Sequence, residues 1–197
     1  MCQSAHFSNL LSKFLRRIAN RKSYEKPNLV VRKRPGRPAE GLIQYGRRVI
    51  PCAVGRSGIG RKCREGDGRT PIGAFSILSL FHRADRCPLN HNAIRSYEIK
   101  DSDGWCDAVG DRNYNRLVRL PYGSSHERLR RDDHLYDVFW VLDFNIRQRL
   151  TRGGSAIFFH LAHNDYKPTE GCIAVSKKDM AWLLQQIRPN SRVIVKP

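Results

Sequence analysis

Apolar residues punctuate this chain in groups of strand length. Leu29-Val30-Val31 is β-like, Pro35-Gly36-Arg37-Pro38 is a turn cluster, and residues 42–54 alternate like the two arms of a hairpin. Four glycines between Arg56 and Arg69 read as a mobile loop, after which Thr70–Ile77 returns to a β pattern. Residues 137–143 and 155–160 are continuous apolar runs of buried-strand length, separated by Gly153-Gly154. The clearest helix follows Ser176 as N-cap, with Asp179 as its capping-box partner and Met180, Leu183, Leu184 and Ile187 at helical spacing. Pro189 closes it, and residues 192–196 form a final strand. From His82 to Arg131 the chain is polar, with aromatics and arginines interleaved, and reads as a long functional insertion with little regular structure.

A different pattern precedes Pro27. Leu10, Leu11, Phe14, Leu15 and Ile18 form a helical stripe opposite Lys13, Arg16, Arg17, Arg21 and Lys22. This short basic amphipathic helix suits either contact with a membrane surface or a loosely packed tail. Residues 1–28 are therefore assigned to a basic tail and residues 29–197 to one domain.

The length of 197 residues suits one globular domain with an appendage, and 40% apolar residues exclude a mostly disordered chain. The net charge of +18 points to a polyanionic or acidic partner: nucleic acid, anionic lipid or an acidic cell-wall polymer. Part of that excess is local, since twelve Lys/Arg against Glu25 and Glu40 fall in the first 48 residues. No apolar run reaches the ~18 residues of a spanning helix. Charged residues interrupt the stretch after Leu10 before it reaches signal-peptide length, so the sequence does not support export. The six cysteines are scattered with no C-x-x-C, which argues against a disulfide framework.

Neither a P-loop nor a dinucleotide-binding glycine fingerprint is present. The most chemical segment runs from Phe159 to Cys172, placing a histidine at the end of a buried strand and a cysteine after a glycine turn. A cysteine nucleophile needs a neighbouring base or imidazolium near neutral pH, and His160 or His163 could supply it. His160 is preferred because a strand fixes its backbone, whereas His163 lies in a polar loop. Gly171 permits a tight turn that could aim the Gly171 and Cys172 amides at an oxyanion. Two plainer readings compete: Cys172 as a small buried hydrophobe, and His160, His163 and Cys172 as three ligands of a zinc site that lacks a fourth.

Two separated motifs resemble the L,D-transpeptidase catalytic domain, also called YkuD-like or ErfK-like. Thr70-Pro71-Ile72-Gly73-Ala74-Phe75 is similar to its Thr-Pro-x-Gly-x-Phe element, and His160 followed by Thr169-Glu170-Gly171-Cys172 to its His…[Ser/Thr]-x-Gly-Cys signature. The blocks at residues 103–107, 114–116, 120–122 and 131–137 resemble a subgroup found in alphaproteobacteria. The resemblance covers about residues 29–197.

It implies a mainly β fold, a β-sandwich of mixed sheets with a few short helices, and chemistry on peptidoglycan. Cys172 would be the nucleophile, acylated by a tetrapeptide stem with loss of D-alanine, and His160 the base. Transfer to an amine of a second stem would make a crosslink, and transfer to water would make the protein an L,D-carboxypeptidase. Gly171 and Cys172 would form the oxyanion hole, and Thr169 would shape the loop. His163, Trp105, Tyr114 and Arg116 are the further candidates for contacting substrate. The scheme needs no metal or cofactor, makes carbapenem β-lactams expected inhibitors, and places the protein in the periplasm with its substrate. The chain departs from the usual family pattern at Glu170, Ala174 and Lys177, where many members carry His, Arg and Asn. The rival from another class, a basic nucleic-acid-binding module, has charge in its favour but no recognised binding motif, so no nucleic acid is expected.

Overall fold

The computed structural model describes residues 28–89 and 94–197. The basic helix expected near the N-terminus falls outside them. Three strands come first, β1 (Leu29–Arg34), β2 (Arg37–Tyr45) and β3 (Arg48–Ala53), folded as consecutive antiparallel arms. Two short pieces, β4 (Ile59–Gly60) and β5 (Thr70–Pro71), lead into the long β6 (Gly73–His82). The middle of the chain holds β7 (Ser96–Glu98), β8 (Asp103–Cys106), β9 (Arg116–Arg119) and β10 (His126–Arg128). Then come β11 (Val138–Leu142), β12 (Phe158–Leu161), β13 (Ile173–Val175), helix α1 (Lys177–Gln186) and β14 (Arg192–Val195).

The main sheet runs β11-β12-β13-β3-β2-β1-β14-β6-β7, and β6 also pairs with β11. The sheet therefore closes on itself. Parallel pairs (β1 with β14, β12 with β13, β6 with β7) stand among antiparallel ones. The protein is thus mainly β with mixed sheets, as the strand patterns and the resemblance imply, and α1 is the one α-helix among the described residues. Ser176 caps it as its sequence predicts, its Oγ accepting from the Asp179 N–H at 3.1 Å.

The continuous apolar runs have a simple cause. Successive side chains of a strand point to opposite faces, and here both faces are covered. Val138, Trp140 and Leu142 of β11 and Phe159 and Leu161 of β12 face one core, which also takes Met180 and Leu183 of α1. Phe139, Val141 and Phe158 face a second core with Phe81, Trp105, Leu129 and Tyr136. The second core is capped by the segment between His82 and Arg131. That segment carries more regular structure than expected: β10-β8-β9 form a separate antiparallel sheet, with Trp105 paired to Glu127 and to Leu117. Ile99, Trp105 and Leu129 of this segment supply the second core.

Candidate functional site

Alternation along β12 decides where His160 points. It shares a face with Phe158 and lies opposite Phe159 and Leu161, so the imidazole emerges beneath the insertion sheet. Cys172, half-buried just before β13, packs against the same second core. Because β12 and β13 are parallel neighbours, with Phe159 opposite Ile173 and His160 opposite Ala174, Cys172 falls level with Phe158 at the start of the strand pair, and His160 follows two residues further along β12 on the face of Phe158.

His160 is buried, and its Nδ1 lies 2.8 Å from the Leu161 carbonyl oxygen. A carbonyl only accepts, so Nδ1 carries the proton and Nε2 keeps the lone pair of the neutral ring. The main-chain carbonyl is thus the orienting partner. Tyr136 stands edge-on to the ring at 5.2 Å. Burial holds the His160 pKa down to about 4, against the hydrogen bond to Leu161. The thiol is shifted the other way. Burial pushes Cys172 up to about 12, the Glu127 carboxylate adds to this, and the Phe158 N–H donating to Sγ at 3.3 Å opposes it. Near neutral pH the site holds an uncharged thiol and an uncharged imidazole rather than an ion pair.

The turn before Cys172 is braced from the other motif. Thr70, wholly buried, accepts from the Gly55 N–H and donates to the Gly171 carbonyl, each at 2.8 Å. Thr169 Oγ1 donates to the Cys172 carbonyl at 2.6 Å and accepts from the Gly171 N–H at 3.2 Å. That amide, read from sequence as facing an oxyanion, is directed at Thr169. Gly171 has φ +137°, and a Cβ there would sit 2.8 Å from the Arg69 carbonyl oxygen, so the position requires glycine. Glu170 pairs with Arg56 at 2.9 Å, tying the turn to the glycine-rich loop.

That loop, read as mobile, is knitted together around one side chain. Asp67 accepts from Lys62 Nζ and from the N–H groups of Cys63 and Arg69. Burial opposes its charge, yet these bonds hold its pKa down to about 2. Lys62, Glu65 and Gly66 of the loop line a cavity of about 500 Å³ that also exposes Cys172, His160, His163 and Thr169.

Of the residues predicted to contact substrate, His163 and Thr169 therefore reach the cavity, and three do not line it. Trp105 is buried in the second core, donates its indole N–H to Asn115 Oδ1 and packs edge-on against Phe158. Tyr114 is buried and donates to Glu65 Oε2 at 2.9 Å, one step behind the wall. Arg116 is exposed on β9. The cavity instead takes Glu127, Arg131 and Asp107 from the insertion. In the sequence their only signal is charge inside a polar segment that holds many other charged residues. No group of three or more His, Cys, Asp or Glu among the described residues is placed to hold a metal ion, and the five described cysteines are free thiols.

Fold and site together define a class: a mainly β protein, closed on itself, with a thiol and an imidazole sharing a cavity under a second small sheet. Its family follows from comparison. The family model for the L,D-transpeptidase catalytic domain, YkuD, matches residues 38–195, from β2 to the end of β14, and the chain belongs to that family. Its members are acyltransferase-type transpeptidases acting on peptidoglycan stem peptides. None of the curated proteins compared matches the chain.

Proposed function

We propose that the protein is a peptidoglycan L,D-transpeptidase whose nucleophile is Cys172 and whose base is His160. The observation that carries this reading is the shared cavity, lined both by a half-buried thiol and by an imidazole whose Nδ1 proton is spent on Leu161. His160 Nε2 takes the thiol proton as Sγ attacks the carbonyl of the diamino acid in a tetrapeptide stem. The carbon–nitrogen bond to the terminal D-alanine breaks, the leaving amine takes the proton from His160, and a thioester remains. An amine of a second stem attacks the thioester, gives up a proton, and releases Cys172 as a thiol.

Because both groups begin uncharged, proton transfer accompanies attack instead of preceding it. Thr70 and Thr169 hold the turn that presents Sγ. Carbapenems would acylate the same sulfur. We place the enzyme in the periplasm, where its substrate lies, with the basic segment 1–28 as a surface-contacting tail.

Incubation of the purified protein with tetrapeptide muropeptides, followed by chromatography and mass analysis, tests the proposal. D-alanine release and crosslinked product are expected, with loss of at least about 10³-fold in Cys172→Ala. An active Cys172→Ala protein would reject the mechanism, and release without crosslinking would make the enzyme a carboxypeptidase.

A further inference from the structure

Three segments meet at one wall of the cavity, and Glu65 joins them. Its Oε2 accepts from the Ser155 N–H at 2.6 Å and from Tyr114 Oη at 2.9 Å, and its Oε1 accepts from Ser155 Oγ at 3.0 Å. The glycine-rich loop (61–69) is thereby held against the connection between β11 and β12 (143–157) and against the turn between β8 and β9 (107–115). Two further bonds join the last two: Arg149 Nη1 donates to the Arg112 carbonyl at 3.1 Å, and Asn115 Nδ2 to the Asn145 carbonyl at 2.9 Å. Lys62, Glu65, Asp107 and Ser155 of these segments line the cavity.

The solvent side of the same three segments carries arginines. Arg61, Arg64, Arg112, Arg147 and Arg152 are exposed, and Arg149 is partly so. None of the six pairs with a carboxylate among the described residues, whereas Arg56 pairs with Glu170 and Arg131 with Asp133. The carboxylates of these segments are engaged elsewhere: Asp67 with Lys62, Asp111 with Ser124 and Tyr122, Asp143 with the Ser76 N–H, and Glu65 as above. Asp107 faces the cavity. Val109 and Leu150 are the large apolar residues exposed on these segments, and two such residues beside six cations suit an anion better than a hydrocarbon layer.

We propose that this arginine rim is a docking surface for the peptidoglycan polymer, seating stems that neighbour the one entering the cavity. The inference rests on the transpeptidase reading above and deepens it. Planar guanidinium groups match carboxylates in two-point pairs, and stem peptides present free carboxylates repeatedly along a glycan strand. With one stem at Cys172, the next stems of the same polymer reach the rim. A soluble muropeptide has no next stem, so the rim separates polymer from fragment.

The triple variant Arg64→Glu, Arg147→Glu, Arg152→Glu reverses three rim charges whose side chains hold no hydrogen bond or ion pair among the described residues. A control, Arg47→Glu, Lys178→Glu, Lys196→Glu, changes the net charge equally at exposed positions that do not line the cavity. Both are compared with the wild type by cosedimentation with isolated peptidoglycan, and by D-alanine release from that polymer and from a soluble tetrapeptide muropeptide. In about 0.1 M NaCl the rim variant should bind and process the polymer about tenfold less than the wild type, with a loss of about twofold at most on the muropeptide. The control should lose about twofold at most on either, and all three proteins should converge on the polymer at about 1 M NaCl. Equal losses in rim variant and control, equal losses on both substrates, or no loss at all would overturn the inference while leaving the transpeptidase intact. So would a rim variant that keeps its polymer binding and loses binding to phosphatidylglycerol vesicles, which would assign the rim to a membrane. A wild-type protein that releases no D-alanine would remove the functional reading, and cosedimentation would still decide whether the rim holds the polymer.

Discussion

Cys172 and His160 occupy surroundings that oppose charge on either one, since burial raises the thiol pKa and lowers that of the imidazole. A thiol of this kind is a poor nucleophile until a base takes its proton during attack. Iodoacetamide at pH 8 should therefore modify Cys172 at least about tenfold more slowly than the exposed Cys63, with the Cys172 rate climbing as pH is raised toward 12. Peptide-resolved mass spectrometry reads both rates at once, and equal rates would mean a resting thiolate. At this scale the sequence was informative about Cys172 and His160, because a thiol after a glycine turn and an imidazole closing an apolar strand are matters of residue identity. It misdirected on Trp105 and Tyr114. An aromatic in a polar stretch reads as exposed, and only its pairing partners reveal that it is buried.

Between elements, the decisive contact joins the two family motifs. Thr70 lies 101 positions from Gly171 in sequence, yet its hydroxyl links the Gly55 amide to the Gly171 carbonyl. Thr70→Val keeps the shape and strands two buried polar groups. It should lower unfolding stability by about 1–3 kcal/mol in urea titration, and D-alanine release should fall as the turn loosens. A neutral effect on both would show that the brace is dispensable. The helix cap at Ser176 and the hairpin of β2 and β3 were legible locally, since each rests on residues close in sequence. The β10-β8-β9 sheet was not legible. Its strands are three or four residues long, and their apolar positions make sense only against the face of β11 and β12 that they cover.

For the molecule as a whole, the excess of 36 Lys/Arg over 18 Asp/Glu supplies a positive field that attracts an acidic polymer without selecting a bond in it. Cosedimentation with isolated peptidoglycan should fall several-fold as NaCl rises from about 0.1 M to about 1 M, where screening shortens from ~10 Å to ~3 Å. Binding unchanged by salt would assign recognition to the cavity alone. Residue order by itself determined the strand-rich class, the capped helix and the identities of the thiol and imidazole, because these depend on periodicity and chemistry within a few positions. Closure of the sheet, burial of the insertion's aromatics and the arrival of Glu127, Asp107 and Glu65 at the cavity that Cys172 lines were decided only in three dimensions. They depend on which distant strands pair and in what register, and a shift of β10 by one residue would turn Glu127 to the opposite face.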